Sequence, residues 1–330
     1  MLFPRYPNTF KGRLTPDTAR DFRLPFLPDN PPPPGSPEAA GPDGINSGPL
    51  ADSPQGSDGN LGHLIPDHLP EDPRFNPLFK ASQPFKNPIP NDPPWTLLDV
   101  LRLAIITGVA IMAFSVIAMM AVTGVVGRQA AAEMARNPKL VVPAQLAAYL
   151  VVLAFMNVLV RSYGGSFWKS IHWNWPGSSW IGYVTLGVAL AVLVQSASLF
   201  LPIPKSLPIE SYFRDAAGTW LMAAFGVSIA PLAEELFFRG FLYPALSRKT
   251  GAALAIFLTA LGFTLIHAPQ LARAWAPLLL LLIVGLVLTW VRAHARSVGA
   301  SFLVHFGYNA TLFLLLYLGT DGFRRLDKLH

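Results

Sequence analysis

The chain is organised around the segment Gly218–Ser247, which reads GTWLMAAFGVSIAPLAEELFFRGFLYPALS. Its length and apolar content predict a membrane-spanning helix, yet it contains Glu234, Glu235 and Arg239. A charge near the centre of a bilayer costs about 2.5–3.5 kcal/mol on insertion scales, so charged residues inside a span indicate a functional site. The other six acidic residues after residue 95 lie at the edges of predicted spans, in loops or in the C-terminal tail.

Helical spacing separates these three charges. Glu235 and Arg239 are four residues apart, so they share a face of the helix and can form an ion pair. Glu234 lies about 100° away from Glu235 around the helix axis, which directs its carboxylate elsewhere. Pro231, one turn upstream, predicts a kink that opens room beside the glutamates. The pattern predicts a buried ion pair and one carboxylate that points elsewhere.

The composition of the whole chain is typical of a multi-pass membrane protein. Of 330 residues, 52% are hydrophobic and 13% are charged, and the mean hydropathy is +0.40. We predict an all-α, polytopic bundle in the lipid bilayer, expected in a bacterial cytoplasmic membrane, with about seven spans. The spans are predicted at 103–126, 140–160, 180–201, 219–246, 252–267, 275–290 and 300–318. Basic residues are divided almost evenly between alternate loops, so the orientation stays open.

Two compositional features exclude other classes of protein. The chain has no cysteine, which excludes disulfides, thiolate nucleophiles, iron–sulfur clusters and cysteine zinc sites. Residues 96–330 contain 17 Lys and Arg against 8 Asp and Glu. In a membrane protein this excess belongs to the loops, and no basic stretch is interleaved with aromatic residues, so we predict no nucleic-acid partner.

Two more polar motifs lie on later spans. Phe263 and His267 are four residues apart at the end of the fifth span, and His305 and Asn309 are four apart in the seventh. Alone, a histidine can simply extend to the interface from a helix end, and a His–Asn pair can hydrogen-bond spans together. With Glu234 they bring a carboxylate, two imidazoles and an amide onto three spans. Such a set can activate water and stabilise an oxyanion.

The ordered trio Glu-Glu-x-x-x-Arg, Phe-x-x-x-His and His-x-x-x-Asn resembles the family of type II CAAX prenyl endopeptidases and bacteriocin-processing (CPBP, or Abi) membrane proteins. The resemblance covers roughly residues 201–319 and leaves out residues 1–95. It implies an intramembrane endopeptidase that hydrolyses a peptide bond with a glutamate-activated water. It also implies that the substrate, and so the partner, is a membrane-associated or lipidated protein or peptide, for example a prenylated one.

The resemblance implies a role for each motif residue. Glu234 would be the general base and His267 would help to hold the water. His305 and Asn309 would form the oxyanion site. Supporting roles would fall to the remaining motif residues, which are Glu235, Arg239 and Phe263.

Three alternatives stay open. The first is a non-catalytic binding or immunity protein on the same fold, and the second is a transporter or proton relay, which also uses buried Glu, His and Arg. The third is a zinc enzyme, because Glu234, His267 and His305 could form a two-His, one-carboxylate site. We predict metal-free catalysis without a cofactor, because the helical spacing pairs His305 with Asn309 and suits an oxyanion site better.

One geometric difficulty follows from the predicted spans. His267 ends its span, whereas His305 lies near the start of the seventh. If the sixth span crosses fully, these two spans run parallel and the two imidazoles would differ in depth by several ångströms. Tilted helices, a longer fifth span or a re-entrant sixth span would close this gap, and the sequence does not choose among them.

The chain divides into four predicted regions. Residues 1–95 contain 22 of the 32 prolines and too few apolar residues for a core, so they are predicted to be a disordered, Pro-rich tail without a signal peptide. Residues 96–202 are predicted to form the N-terminal spans and residues 203–320 the CAAX-protease-like catalytic core. Residues 321–330 are predicted to be a short C-terminal tail.

Overall fold

The computed structural model describes residues 93–326. Most of the predicted N-terminal tail and the last four residues lie outside this range. Within it the helices, in chain order, are α1 (Leu97–Val126), α2 (Arg128–Met134), α3 (Pro138–Ser162), α4 (Phe167–Ser170), α5 (Trp180–Ser198), α6 (Ala216–Thr250), α7 (Ala252–Ile266), α8 (Trp275–Ala295) and α9 (Val298–Gly319).

Six helices are long and apolar enough to cross a membrane, judged by length and composition: α1, α3, α5, α6, α8 and α9. The shorter apolar helix α7 has 15 residues, and residues 93–326 contain no β-strand. The predicted fold class, a polytopic helical bundle, is confirmed, and the chain is a multi-pass membrane protein.

Local sequence signals set several helix ends. α1 begins with a capping box in which Thr96 and Asp99 satisfy each other's backbone N–H groups. Asp215 caps α6 by accepting a hydrogen bond from the Gly218 N–H at 2.8 Å. Gly251, with φ of 78° and ψ of 165°, is the single residue between α6 and α7, a backbone conformation that essentially only glycine adopts. The chain can therefore reverse between these helices without a loop.

The sixth span is longer than predicted, and the fifth, predicted at 252–267, is a short helix. The sixth, predicted as a short span over 275–290, is the 21-residue helix Trp275–Ala295. The apolar pattern breaks at Arg292, but that side chain is buried and its Nε donates to the carbonyl of Arg239 at 3.0 Å. The fifth helix ends at Ile266, and its 15 residues rise only about 22 Å, less than the roughly 30 Å hydrocarbon core of a bilayer.

The charged helix α6 is not a uniform α-helix. The segments Phe225–Ile229 and Leu236–Leu242 are π-helical, and they flank an α-helical segment, Ala230–Glu235. Pro231 lies in the first turn of that central segment. The predicted distortion beside the glutamates is present, but it takes the form of two π segments that Pro231 alone does not explain. π segments are rare and occur frequently at functional sites.

Carbonyl groups of both π segments accept hydrogen bonds from side chains of other elements. Asn309 donates to the carbonyl of Gly226, Arg292 donates to that of Arg239, and Trp95 donates to that of Phe241. Trp95 precedes α1, is fully buried, and its ring also stacks on the Phe241 ring with centroids 4.6 Å apart. Trp95, predicted to be the last residue of the tail, therefore packs against the charged helix.

The remaining packing places α6 between two apolar clusters. One cluster joins α1 and α3 to Leu236, Phe241 and Ala245 of α6. The second joins α5, α8 and α9, and α9 also packs against α6. α5 and α9 approach closely at glycines, since a Cβ on Gly187 would overlap the backbone of Val304. Small residues of this kind let helices approach in membranes, and the charged residues of α6 come to lie between the two clusters.

Candidate active site

Glu235 is the centre of a buried network. Its side chain has no exposed surface, and its Oε1 accepts hydrogen bonds from Arg239 Nη1 at 2.9 Å and from His305 Nδ1 at 2.9 Å. Its Oε2 accepts a hydrogen bond from the Ser301 hydroxyl at 2.6 Å. The ion pair that the helical spacing predicts is present. The contacts with His305 and Ser301 lie outside what the spacing predicts, because both residues come from α9.

Arg239 is also fully buried, and its other two guanidinium nitrogens, Nε and Nη2, have partners besides Glu235. Nε donates to the Thr289 hydroxyl at 3.3 Å and Nη2 donates to the carbonyl of Gly285 at 3.2 Å, both in α8. The guanidinium carbon lies 4.6 Å from the centre of the Phe263 ring, which is within the range of cation–π attraction. These contacts offset the cost of removing the charge from water and join α6, α7 and α8.

Glu234 takes no part in the Glu235–Arg239 ion pair and faces two imidazoles, those of His267 and His305. Its Oε1 lies 3.8 Å from His267 Nε2 and its Oε2 lies 3.7 Å from His305 Nε2. These distances exceed direct hydrogen bonds, and at such separations a bridging water is the usual consideration. The Glu234 side chain is 19% exposed, whereas that of Glu235 is 0% exposed. Of the two adjacent glutamates, Glu234 is the one that a small molecule can reach.

Both imidazoles are fixed through their Nδ1 atoms. His267 Nδ1 lies 2.8 Å from the carbonyl of Phe263, and because a carbonyl only accepts, Nδ1 carries the proton. His305 Nδ1 donates in the same way to Glu235. Each histidine therefore presents Nε2 to Glu234, and in a neutral ring that atom is an acceptor. Partners on the second ring nitrogen set the tautomer and orientation in this way at many metal and catalytic sites.

The possible gap in depth between the two histidines is closed in the structure, because both Nε2 atoms lie within 3.8 Å of one carboxylate. α7 is short and ends at Ile266, so His267 is already the residue that follows the helix. The full length of α8 then returns the chain to the start of α9.

Phe263 forms a wall behind the site. Its ring lies 4.7 Å from the His267 ring and 5.8 Å from the His305 ring, centroid to centroid. It is 1% exposed and also contacts the Arg239 guanidinium. Phe263 lies beside His267 as predicted, and the same ring also contacts His305 on α9 and Arg239 on α6.

Asn309 is placed differently from the other motif residues. Its Nδ2 donates to the carbonyl of Gly226 at 2.7 Å, so one amide N–H ties α9 to the first π segment of α6. The second N–H of the amide is left for another acceptor. The pairing of Asn309 with His305 in one oxyanion site stays a prediction.

Sequence reasoning missed Ser301 and Thr289, whose hydroxyls contact Glu235 and Arg239. A signal was available for Ser301, which lies four residues before His305 and so shares its face of α9. Thr289 carries no comparable signal, because hydroxyl residues on spans are common and usually bond their own helix, as Thr289 also does through the carbonyl of Gly285 at 2.7 Å.

Comparisons with known proteins match the part of the chain that contains these residues. Residues 216–311, which contain all three motifs, match the family described as type II CAAX prenyl endopeptidase Rce1-like. The chain is 29% identical over 129 residues to UPF0177 protein YbdI of Lactococcus lactis subsp. lactis (strain IL1403), a match that covers 39% of this chain and 67% of that protein. No solved structure gives a significant match. The predicted resemblance to the CPBP family is confirmed, and it supports a CAAX-type intramembrane protease.

Proposed function

We propose that this chain is an intramembrane endopeptidase that hydrolyses a peptide bond in a membrane-associated, lipidated protein or peptide through a water held by Glu234 and His267. The observation that carries the proposal is the position of the Glu234 carboxylate, which faces the Nε2 atoms of two histidines at 3.7–3.8 Å. The match to a CAAX-type protease family supports the same reaction.

The hydrogen-bonding capacity of the site suits a nucleophilic water. A water between Glu234 and His267 can donate one hydrogen to the carboxylate and the other to the lone pair on His267 Nε2. Its oxygen lone pairs are then directed away from both acceptors. Glu234 takes a proton as the water oxygen bonds to the peptide carbonyl carbon. It then returns that proton to the amine nitrogen as the C–N bond breaks, which leaves a carboxylic acid and an amine.

The two adjacent glutamates have different roles in this scheme. Glu235 is neutralised by Arg239 and accepts the Nδ1–H of His305, so it positions the imidazole without contacting the water. Glu234 has no cation at spacing four on its own helix, and its Oε atoms remain available as proton acceptors. We therefore assign the base to Glu234 and the positioning role to Glu235.

Stabilisation of the oxyanion is assigned to His305 and Asn309. Because His305 Nδ1 already donates to Glu235, its Nε2 donates to an oxyanion only when both ring nitrogens carry protons. Asn309 offers its second amide N–H, the first being bound to Gly226. Each such donor contributes about 10²–10³ in turnover in enzymes where one has been removed.

The proposal is tested by cleavage of a C-terminally prenylated, fluorescently labelled peptide by the purified protein in nanodiscs. Glu234→Gln should lower the rate by at least the roughly 10²–10⁴ that a general base contributes, while the binding of the labelled peptide is retained. Glu133→Gln, on the exposed side of α2, is the matched control and should cleave normally.

Two results would overturn the proposal. One is a folded Glu234→Gln protein that cleaves at the wild-type rate. The other is wild-type protein that binds prenylated and unprenylated membrane peptides but cleaves none of them, which is the behaviour of a non-catalytic binding protein. Proton flux in liposomes without cleavage would identify a transporter.

A further inference from the structure

Helix α3 brings a tyrosine to the site that none of the three motifs contains. The Tyr149 ring stacks on Phe225, with centroids 5.9 Å apart and planes inclined by 13°. Phe225 begins the first π segment of α6, and the next residue, Gly226, holds the Asn309 amide. Tyr149 therefore lies at the end of the site where Asn309 is fixed.

The hydroxyl of Tyr149 has an unused donor. It accepts a hydrogen bond from Gln145 Nε2 at 3.0 Å, one turn earlier on α3. Within residues 93–326, no acceptor receives its O–H. The O–H is therefore available to a group that enters the site with the substrate.

The other donors at this end of the site are partly committed. His305 uses Nδ1–H on Glu235, and Asn309 uses one N–H on Gly226. A tyrosine O–H is a neutral donor that needs no prior protonation. It is also preorganised, because the ring is held by Phe225 and the oxygen by Gln145.

We propose that Tyr149 is a catalytic residue that donates a hydrogen bond from its hydroxyl to the oxyanion of the tetrahedral intermediate. This inference rests on the proposed peptidase function. It assigns part of the oxyanion site to α3, outside the region that matches the peptidase family. The substrate carbonyl then lies between α3 on one side and α6 and α9 on the other.

The first experiment compares turnover of the prenylated peptide by wild type, Tyr149→Phe, Tyr183→Phe and Glu234→Gln. Removal of an oxyanion donor should lower kcat of Tyr149→Phe by about 10²–10³, with KM changed by less than about threefold and the thermal midpoint unchanged. Tyr183 is a half-buried tyrosine of α5 that packs against the cluster of α5, α8 and α9, and its Phe variant should match wild type.

The outcomes separate the two proposals. If Glu234→Gln is inactive and folded Tyr149→Phe turns over at the wild-type rate, the role of Tyr149 is overturned and the peptidase proposal stands. If wild type does not cleave, or Glu234→Gln cleaves normally, the peptidase proposal fails and the role of Tyr149 fails with it.

The second experiment does not depend on turnover. A phosphinate peptide that mimics the tetrahedral intermediate should bind Tyr149→Phe about 10²–10³ weaker than wild type, whereas the substrate peptide should bind both equally. If the role of Tyr149 were purely structural, the variant would bind the phosphinate and the substrate peptide more weakly to the same degree. Equal binding of the phosphinate by the two proteins would overturn the proposal.

If Tyr149→Phe does not fold, Gln145→Leu replaces it. That variant keeps the stacked ring but releases the hydroxyl, and it should lose affinity for the phosphinate alone; unchanged phosphinate affinity would overturn the proposal.

Discussion

His305 Nδ1 lies 2.9 Å from Glu235 Oε1, so the second glutamate of an adjacent pair holds the imidazole that faces the first. Glu235 is fully buried and has three partners, whereas Glu234, one residue earlier on α6, is partly exposed and lies between two imidazoles. The 100° between successive helical residues is the physical origin of this division.

The two glutamates should therefore differ in their effect on stability. Glu235→Gln leaves Arg239 buried without its counter-charge, and breaking one side of a buried pair costs about 3–5 kcal/mol. Glu234→Gln removes a partly exposed charge that has no direct ion pair with a Lys or Arg and should be close to neutral. Thermal unfolding of both variants in the same detergent measures this difference, and equal midpoints would contradict the assignment of roles.

Ser301→Ala should produce a smaller loss. The Ser301 hydroxyl donates to Glu235 at 2.6 Å inside the bundle, and hydrogen bonds to charged groups contribute about 1.5–3 kcal/mol. The matched control is Ser115→Ala, since Ser115 is exposed and donates only to the carbonyl of Ile111 on its own helix. Chemical denaturation should place Ser301→Ala between wild type and Glu235→Gln. A Ser301→Ala protein as stable as the control would show that this contact adds nothing.

Phe263→Ala should reduce both stability and turnover. The ring is buried against His267, His305 and Arg239, and Phe-to-Ala changes in cores cost about 3–5 kcal/mol. Without this wall the two imidazoles lose their fixed orientation, so kcat should fall even at temperatures where the protein stays folded. Phe257→Ala removes a ring that is 44% exposed on the same helix and is expected to change neither measurement by much.

The approach of α5 to α9 should not tolerate a methyl group at Gly187. A Cβ there would overlap the carbonyl oxygen of Val304, one residue before His305, so Gly187→Ala should lower the folded yield and displace the site. Gly108→Ala in α1 is the control, because a Cβ at that position meets nothing within 4 Å. It should be neutral or stabilising by up to about 1 kcal/mol. Normal yield and activity from Gly187→Ala would show that the helices can separate without cost.

Cleavage should persist after treatment with a zinc chelator and without added metal. Within residues 93–326, no group of three or more His, Asp or Glu side chains is arranged so that it could hold a metal ion, and the proposed reaction uses a water activated by Glu234 and His267. Metal analysis of the purified protein, together with turnover before and after chelation, checks the prediction. Stoichiometric zinc whose removal abolishes activity would assign Glu234, His267 and His305 as ligands instead.

Much of the site could be predicted because it is built from short spacings. Glu235 with Arg239 and Phe263 with His267 are four residues apart, and helices place such pairs on one face whatever surrounds them. The charges of Glu234 and Glu235 also stood out, because carboxylates are costly in a span. The two π segments were not predicted, since the wider turns involve ordinary residues such as Gly226 and Phe241 whose carbonyls find partners on other elements.

Composition and spacing alone were thus enough for a helical membrane protein, for the positions of its three motifs and for the ion pair within α6. The packed bundle was required for the contact of His305 with Glu235, for the attachment of Asn309 to Gly226 and for the position of Tyr149 beside Phe225. The reason is that spacing specifies neighbours on one helix, whereas rotation and depth of separate spans are set by packing. In a bilayer the face of a span that meets lipid and the face that meets a neighbouring helix are both mostly apolar, so apolar periodicity does not mark which face meets the neighbour.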